Sequence, residues 1–319
     1  LVLLWNDYYF RNRRFKDWDP YGYPMTSGVS VTILGTAQDG GIPQSGCSCR
    51  TCMEAHKDFK LRKYPVCLGV IGSDGSKHII EITKNLSEQL MIWTTIGKEI
   101  FIPETVSISH LHLGHIEGIG QFGKPVMGLK KIDIFLSREN KKNFDNRSDI
   151  RLMIEDDNIR THAKEFYQPF EPKEGCGFSL QFIPIPHRSE LGDTSAIIIN
   201  GKERSILFMP DQDSWEKTLE YYSKDNVRDF FRIFDIDEAL IDGTFWSMEE
   251  LPGRNISEIP HPTIQDSLQL LGKKMEDDPE ISFLHLNHSN PVNDINSKQR
   301  KIVELNGWKI AEMGNVLTL

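Results

Sequence analysis

Short blocks in which apolar residues alternate with polar ones or run together recur along the chain at 29–34, 66–71, 78–82, 105–109, 131–136, 180–185, 196–199, 205–209, 239–241 and 281–286. Blocks of four to six residues rich in Val, Ile, Leu and Phe predict β-strands. Between them, apolar residues at helical spacing predict helices over 86–93, 137–144, 214–222, 262–275 and 297–305. In the fourth, Pro262 suits a first helical position, and Ile264, Leu268, Leu271 and Met275 step onto one face. Strands with helices interspersed, then strands again, predict an α/β protein of layered type; an αββα sandwich would produce this order, and so would other layered folds. At 319 residues the chain suits one domain, from 29 to 319. Residues 1–28 read as an N-terminal extension or a trimmed remnant, and the polar, Glu/Lys-rich stretch 145–175 as a surface insertion.

Composition narrows the class. Charged residues at 26% and hydrophobic ones at 39% describe a packed globular protein and exclude a disordered one. A net charge of -9 without a Lys/Arg stripe argues against a nucleic-acid partner. No stretch approaches the roughly 20 apolar residues of a membrane helix, so no membrane partner is expected. Of five cysteines, Cys47, Cys49 and Cys52 crowd together, while Cys67 and Cys176 stand alone. That odd count and close spacing suit a metal site better than a disulfide framework, and favour a reducing, cytoplasmic compartment.

The chemistry gathers on histidines. A strand ending in Val106-Ser107-Ile108-Ser109 runs into His110-Leu111-His112-Leu113-Gly114-His115. Extended backbone puts His110 and His112 on one side, able to grip one metal, while a turn brings His115 round. His187, Asp211 and His285 each lie at or just beyond an apolar block, where sites are commonly assembled. The alternative is a chance set of core or surface histidines. Three thiolates at 47, 49 and 52 can share one zinc and need a fourth ligand, for which His288 is the candidate; a redox role for the thiolates is the competing reading.

The series His110-X-His112-X-X-His115, His187, Asp211, His285 resembles the ligand set of the metallo-β-lactamase superfamily, in particular its phosphodiesterase and tRNase Z branch. The resemblance implies an αββα sandwich of two mixed sheets flanked by helices. It implies one metal on His110, His112, His187 and a bridging Asp211, and another on His115, Asp211 and His285. Zinc is the first expectation for these ions, with manganese or iron as alternatives. The implied activity is a metal-dependent hydrolase in which metal-bound hydroxide attacks a phosphodiester or similar small ester, Asp211 bridging the ions, with a small anionic substrate and a homodimer carried as the candidate partners.

At the position of the superfamily's usual ligand Asp stands Gly114, which predicts a single-metal or weakly bimetallic site. Glu117 is near but reads as a solvated surface carboxylate. His261, ahead of Pro262, matches a leaving-group histidine of the phosphodiesterase branch. Its place at a helix start predicts a readily donated proton and a general-acid role, against simple capping. The cysteine cluster with His288 resembles the structural zinc of the cyclic-ribose phosphodiesterase of phosphonate degradation. The strings Leu34-Gly35-Thr36-Ala37-Gln38-Asp39-Gly40-Gly41-Ile42-Pro43-Gln44, Leu240-Ile241-Asp242-Gly243-Thr244-Phe245-Trp246, Gly253-Arg254-Asn255 and His285-Leu286-Asn287-His288-Ser289-Asn290-Pro291 resemble the pyrroloquinoline quinone biosynthesis protein B family. That likeness raises a metal-dependent oxidative enzyme of quinone-cofactor formation as the alternative, with a non-catalytic protein of the same fold as the other. A tRNA-processing role is disfavoured by the acidic charge.

Overall fold

A computed structural model describes residues 28–97, 101–250 and 259–319. The expected extension at 1–28 and the Gly253-Arg254-Asn255 string lie, but for Gly28, outside the described residues. Each of the ten apolar blocks forms a strand, and three further short strands join them: β1 (Ser30–Gly35), β2 (Cys67–Ile71), β3 (Lys77–Ile80), β4 (Thr105–Ser107), β5 (Ile132–Ser137), β6 (Ile159–Lys164), β7 (Ser179–Pro184), β8 (Ser195–Asn200), β9 (Ser205–Met209), β10 (Glu238–Asp242), β11 (Glu280–Leu284), β12 (Lys309–Ile310) and β13 (Val316–Thr318). The α-helices are α1 (Arg50–Lys57), α2 (Leu86–Gly97), α3 (Leu113–Ile116), α4 (Arg138–Asp145), α5 (Ser148–Glu155), α6 (Trp215–Tyr221), α7 (Val227–Arg232), α8 (Ile264–Leu271) and α9 (Lys298–Leu305).

The strands make two mixed sheets, ordered β13-β1-β2-β3-β4-β5-β6 and β12-β11-β10-β9-β8-β7. In the first, β1, β3, β4, β5 and β6 run the same way, with β2 reversed between β1 and β3. In the second, β7, β9, β10, β11 and β12 share a direction, with β8 reversed.

Alternation along the strands builds the layers. On β9, Ile206 and Phe208 point into a core shared by both sheets, where they meet Val31, Ile33, Leu68 and Val70 of the first sheet. Leu207 and Met209, one residue out of phase, face Trp215, Phe230, Phe231 and Ile264 of the outer helices. On the far side of the first sheet, Ile79, Val106, Ile134 and Leu136 pack against Leu86, Trp93, Phe144 and Ile150 from α2, α4 and α5. Because both faces of each sheet are covered, the central strands read as near-continuous apolar runs, and the architecture is helix, sheet, sheet, helix.

Two local expectations need correction. The stretch 145–175 is not simply an insertion: it supplies α5 and the edge strand β6, which pairs in parallel with β5. An edge strand needs only one apolar face, and that half-polar pattern hid it. The helix expected over 262–275 runs only Ile264–Leu271. Thr263 is its N-cap, in a capping box with Asp266, so Pro262 lies ahead of the cap. Gly272 at φ 62° ends it, a conformation that Gly adopts without steric cost.

His78 on β3 is 1% exposed, its Nδ1 2.8 Å from Thr105 Oγ1 and its Nε2 2.7 Å from Ser76 Oγ. Burial depresses the imidazole to about 4, whereas the unfolded chain returns it to about 6.5. The unfolded state therefore binds more protons between these values, so the stability present above pH 6.5 is lost as the pH falls towards 4, by about 3 kcal/mol. Replacement His78→Gln is expected to flatten the acid limb of melting temperature against pH in that window; an unchanged limb would refute the assignment.

Candidate metal centre and its supporting shell

The strands that share a direction deliver the site. Asp39 follows β1, Glu81 follows β3, His110 and His112 follow β4, His187 follows β7, Asp211 follows β9, Asp242 closes β10 and His285 follows β11. The C-terminal ends of both sheets thus converge on one edge. His115 sits in α3, and His261 two residues ahead of the α8 cap. Between the sheets the loops are stitched together: Gln38 N–H donates to Leu286 O at 3.0 Å, and Leu286 N–H to Thr36 O at 2.9 Å.

All six histidines expected at the site, His110, His112, His115, His187, His261 and His285, come together around Asp211. His110, His112 and His187 form one group whose ligand atoms lie within 4.8 Å of one another; His110, His115 and Asp211 form another, and Asp39, His115 and His285 a third. Asp211 is 4% exposed, with Oδ2 3.3 Å from His115 Nε2 and Oδ1 3.6 and 3.7 Å from the Nε2 atoms of His285 and His187.

Four of these rings turn their other nitrogen to a polar group, His285 and His110 in hydrogen bonds and His187 and His115 in looser contacts with carboxylates. His285 Nδ1 is 2.7 Å from Thr244 Oγ1, His110 Nδ1 2.9 Å from Ser109 Oγ, His187 Nδ1 3.4 Å from Asp213 Oδ1, and His115 Nδ1 3.6 Å from Glu81 Oε2. Such outer partners fix tautomer and aim. Glu81 (φ 67°) and His285 (φ 60°) are held in the left-handed region, which non-glycine residues seldom occupy. Strain of this kind persists where surrounding packing imposes it, and it concentrates at functional sites.

The charges call for a cation. Burial would raise the Asp211 carboxyl, yet His285, His115, His110 and His187 hold it well below the usual carboxylate range. Burial would strip the His115 proton, but Asp211 and Glu81 hold it well above the usual value. His110 is pushed far down by burial and by the charge on His115, and His187 down to about 4 chiefly by burial. Both nitrogens of His115 and of His187, and Asp211 Oδ2, are buried without a hydrogen-bond partner. Burying such groups unpaired is costly, and a metal bound by imidazole and carboxylate satisfies them, so the donor set fits.

The expectation for His261 needs correction in its cause. Its Nδ1 is 2.7 Å from Asp242 Oδ2, and although burial opposes it, that carboxylate raises the imidazole above its ordinary value. The Asp242 carboxylate, not a helix end, governs the proton. Glu117 is exposed.

Cys47, Cys49, Cys52 and His288 form a separate cluster with ligand atoms within 4.8 Å of one another. His288 Nδ1 lies 3.5 Å from the Sγ atoms of both Cys47 and Cys49, about the edge of a tetrahedron with Zn–S and Zn–N bonds of ordinary length. Backbone N–H groups of Gln44 and Cys49 donate to Cys52 Sγ and Cys47 Sγ. Burial pushes the Cys52 thiol up to about 12, while backbone and thiol hydrogen bonds overcome burial to lower Cys49. Cys67 and Cys176 are buried elsewhere and free.

A family model described as β-lactamase superfamily domain matches residues 96–277. The chain belongs to that superfamily. Coenzyme PQQ synthesis protein B of Ruegeria pomeroyi is 23% identical to it, over 91% of this chain and 100% of the relative. The solved structure of Zn2+-bound PqqB from Methylobacterium extorquens superposes with a TM-score of 0.72 at 18% identity, covering 91% of this chain and 100% of that one. A diphosphatase of the PhnP family gives 0.61 at 16% identity, covering 91% and 97%. The two mixed sheets flanked by helices are the fold of this superfamily.

Sequence reasoning passed over Asp39, Glu81 and Asp242. Asp39 and Asp242 stand within the strings that carry the family likeness; Glu81, in a half-apolar strand end, has no sequence signal of its own. No helix among the described residues is long and apolar enough to cross a membrane. Substituting Cys49→Ser is expected to remove one metal ion per chain by elemental analysis, and to lower the melting temperature by at least roughly 5 °C. Cys176→Ala should leave the metal count unchanged.

Proposed function

We propose that the protein is a metal-dependent hydrolase of small phosphodiesters or related anionic esters. His110, His112, His187 and Asp211 would hold one cation, Asp211 with His115 and His285 a second, and Cys47, Cys49, Cys52 and His288 a structural zinc. When bound, the catalytic cations supply Lewis acidity, lowering the pKa of a water and offsetting charge on the phosphoryl group.

The observation that carries this reading is the His261–Asp242 pair. The His261 ring lies 5.2 Å from that of His187 and 5.4 Å from that of His285, so it faces both halves of the cluster. With Nδ1 engaged by Asp242, Nε2 is left to carry a proton towards the reacting atoms. Hydrolysis adds the oxygen of water to phosphorus and breaks the ester P–O bond; His261 gives its proton to the departing oxygen and is restored by the proton that water loses. His261 also lines a cleft of about 380 Å³ in which Trp215, Met248, Pro260 and Leu270 offer apolar surface to the organic part of a leaving group, while Asp213, Glu216 and Asp266 disfavour an anionic one. Arg188, 39% exposed in its side chain, places Nη2 3.3 Å from His112 Nδ1 and brings a guanidinium to the mouth of the site, partly offset by Glu190 3.7 Å from its Nε.

The relatives called coenzyme PQQ synthesis protein B favour a second reading, metal-dependent oxidative chemistry in cofactor formation. A positioned acid could serve either chemistry, and the hydrolase reading is preferred because protonating a leaving oxygen gives the His261–Asp242 pair a defined role. Metal-loaded protein is expected to turn over bis(p-nitrophenyl) phosphate or another small phosphodiester. His261→Ala should lower kcat by roughly 10²–10⁴ on a diester with an alkoxide leaving group and far less on bis(p-nitrophenyl) phosphate, whose phenolate departs unprotonated, with metal content intact in both, and Arg188→Ala should chiefly raise KM. No turnover across a phosphodiester panel, together with oxygen uptake by iron-loaded protein, would decide for the second reading.

A further inference from the structure

Gly114 occupies the position where the superfamily carries a ligand carboxylate, and the sequence alone predicts a second site weakened by its loss. The structure puts another carboxylate in that space. A Cβ added to Gly114 would fall 2.1 Å from Asp39 Cγ and 2.2 Å from its Oδ1. Gly114 lies in α3 and is absent from the residues with positive φ, so its backbone would accept a side chain. What glycine provides there is room, and Asp39 fills it.

Asp39 arrives from a different part of the chain, the loop after β1. Its Oδ1 is 3.4 Å from His285 Nε2 and 3.5 Å from His115 Nε2. Those two nitrogens are also 3.6 and 3.3 Å from the oxygens of Asp211. Ligand atoms on a tetrahedral zinc with bonds of about 2.0–2.1 Å lie roughly 3.3–3.4 Å apart, so the Asp39 oxygen stands at ligand spacing from both imidazoles, with Asp211 beside them through a different oxygen for each. His115 Nε2 is buried and has no hydrogen-bond partner, and Glu81 Oε2 stands 3.6 Å behind the ring at Nδ1.

We infer that Asp39 is the carboxylate ligand of the second cation, replacing the one missing at 114, and that carboxylates at 39 and 114 exclude one another sterically. The exchange rests on the metal-centre reading above, but keeps a full two-ion site where the sequence predicts a weakened one. Ligand identity has moved from α3 to the β1 loop while the charge delivered to the cation stays the same.

The test reads metal binding and needs no turnover. Wild type, Asp39→Ala, the near-isosteric Asp39→Asn, Gly114→Asp and the double variant Asp39→Ala/Gly114→Asp are stripped, titrated with Zn2+ by calorimetry, and counted by elemental analysis after dialysis. The expected result is a pair of ions at the imidazole cluster in wild type. In both Asp39 single variants the second should be lost or weakened by at least the roughly 10–100-fold that even an outer-shell change costs, with the Cys47-Cys49-Cys52-His288 ion retained as the sign of folding. The double variant should recover the second ion, and Gly114→Asp alone should not strengthen it. Wild-type stoichiometry and affinity in Asp39→Asn, a double variant no better than Asp39→Ala, or a single ion at the cluster in wild type would overturn the inference. A protein that binds the pair through Asp39 yet cleaves no phosphodiester would leave it standing and remove only the hydrolase reading.

Discussion

A carboxylate buried among imidazoles at the seam of two sheets needs positive charge, and the structure is organised around that need at Asp211. Its desolvation is unfavourable, and no Lys or Arg side chain is paired with it among the described residues; the compensation comes from His115, His187, His285 and His110. A proton held on His115 by Asp211 and Glu81 meets part of the demand, but burial keeps His110 and His187 neutral. A metal meets it without that conflict. Removing either the carboxylate or its surrounding rings would therefore leave unpaired buried charge, which costs more than the absence of the whole arrangement.

The fold places these groups cheaply because β7, β9, β10 and β11 on one side, and β1, β3 and β4 on the other, all end on the same edge. Short loops then suffice to bring residues more than two hundred positions apart into contact, as with Asp39 and His285. Similarity to structures of 16–18% identity shows how far sequence can drift while the fold is kept.

Much of this was legible in the chain. Strands buried on both faces carry strong apolar runs, so all ten such blocks were visible, and ligands set at strand ends could be read as a series. The half-exposed edge strand β6 and the very short β12 and β13 lack that signature. The site was legible where residue type is chemically unusual, as with clustered His and Cys. It was not legible where an ordinary Asp or Glu acquires its meaning from a partner distant in sequence. Asp39 takes its significance from the space beside Gly114, and Asp242 from the ring of His261; neither relation exists before the sheets close.

The loop after β1 carries Asp39 and then Cys47, and the loop after β11 carries His285 and then His288. The same two segments thus meet twice, once at the imidazole cluster and once at the thiolate cluster, like a hinge pinned beside its lock. Without an ion at the outer pin the two segments would be free to drift, and the approach of Asp39 to His285 would loosen although neither residue had been changed.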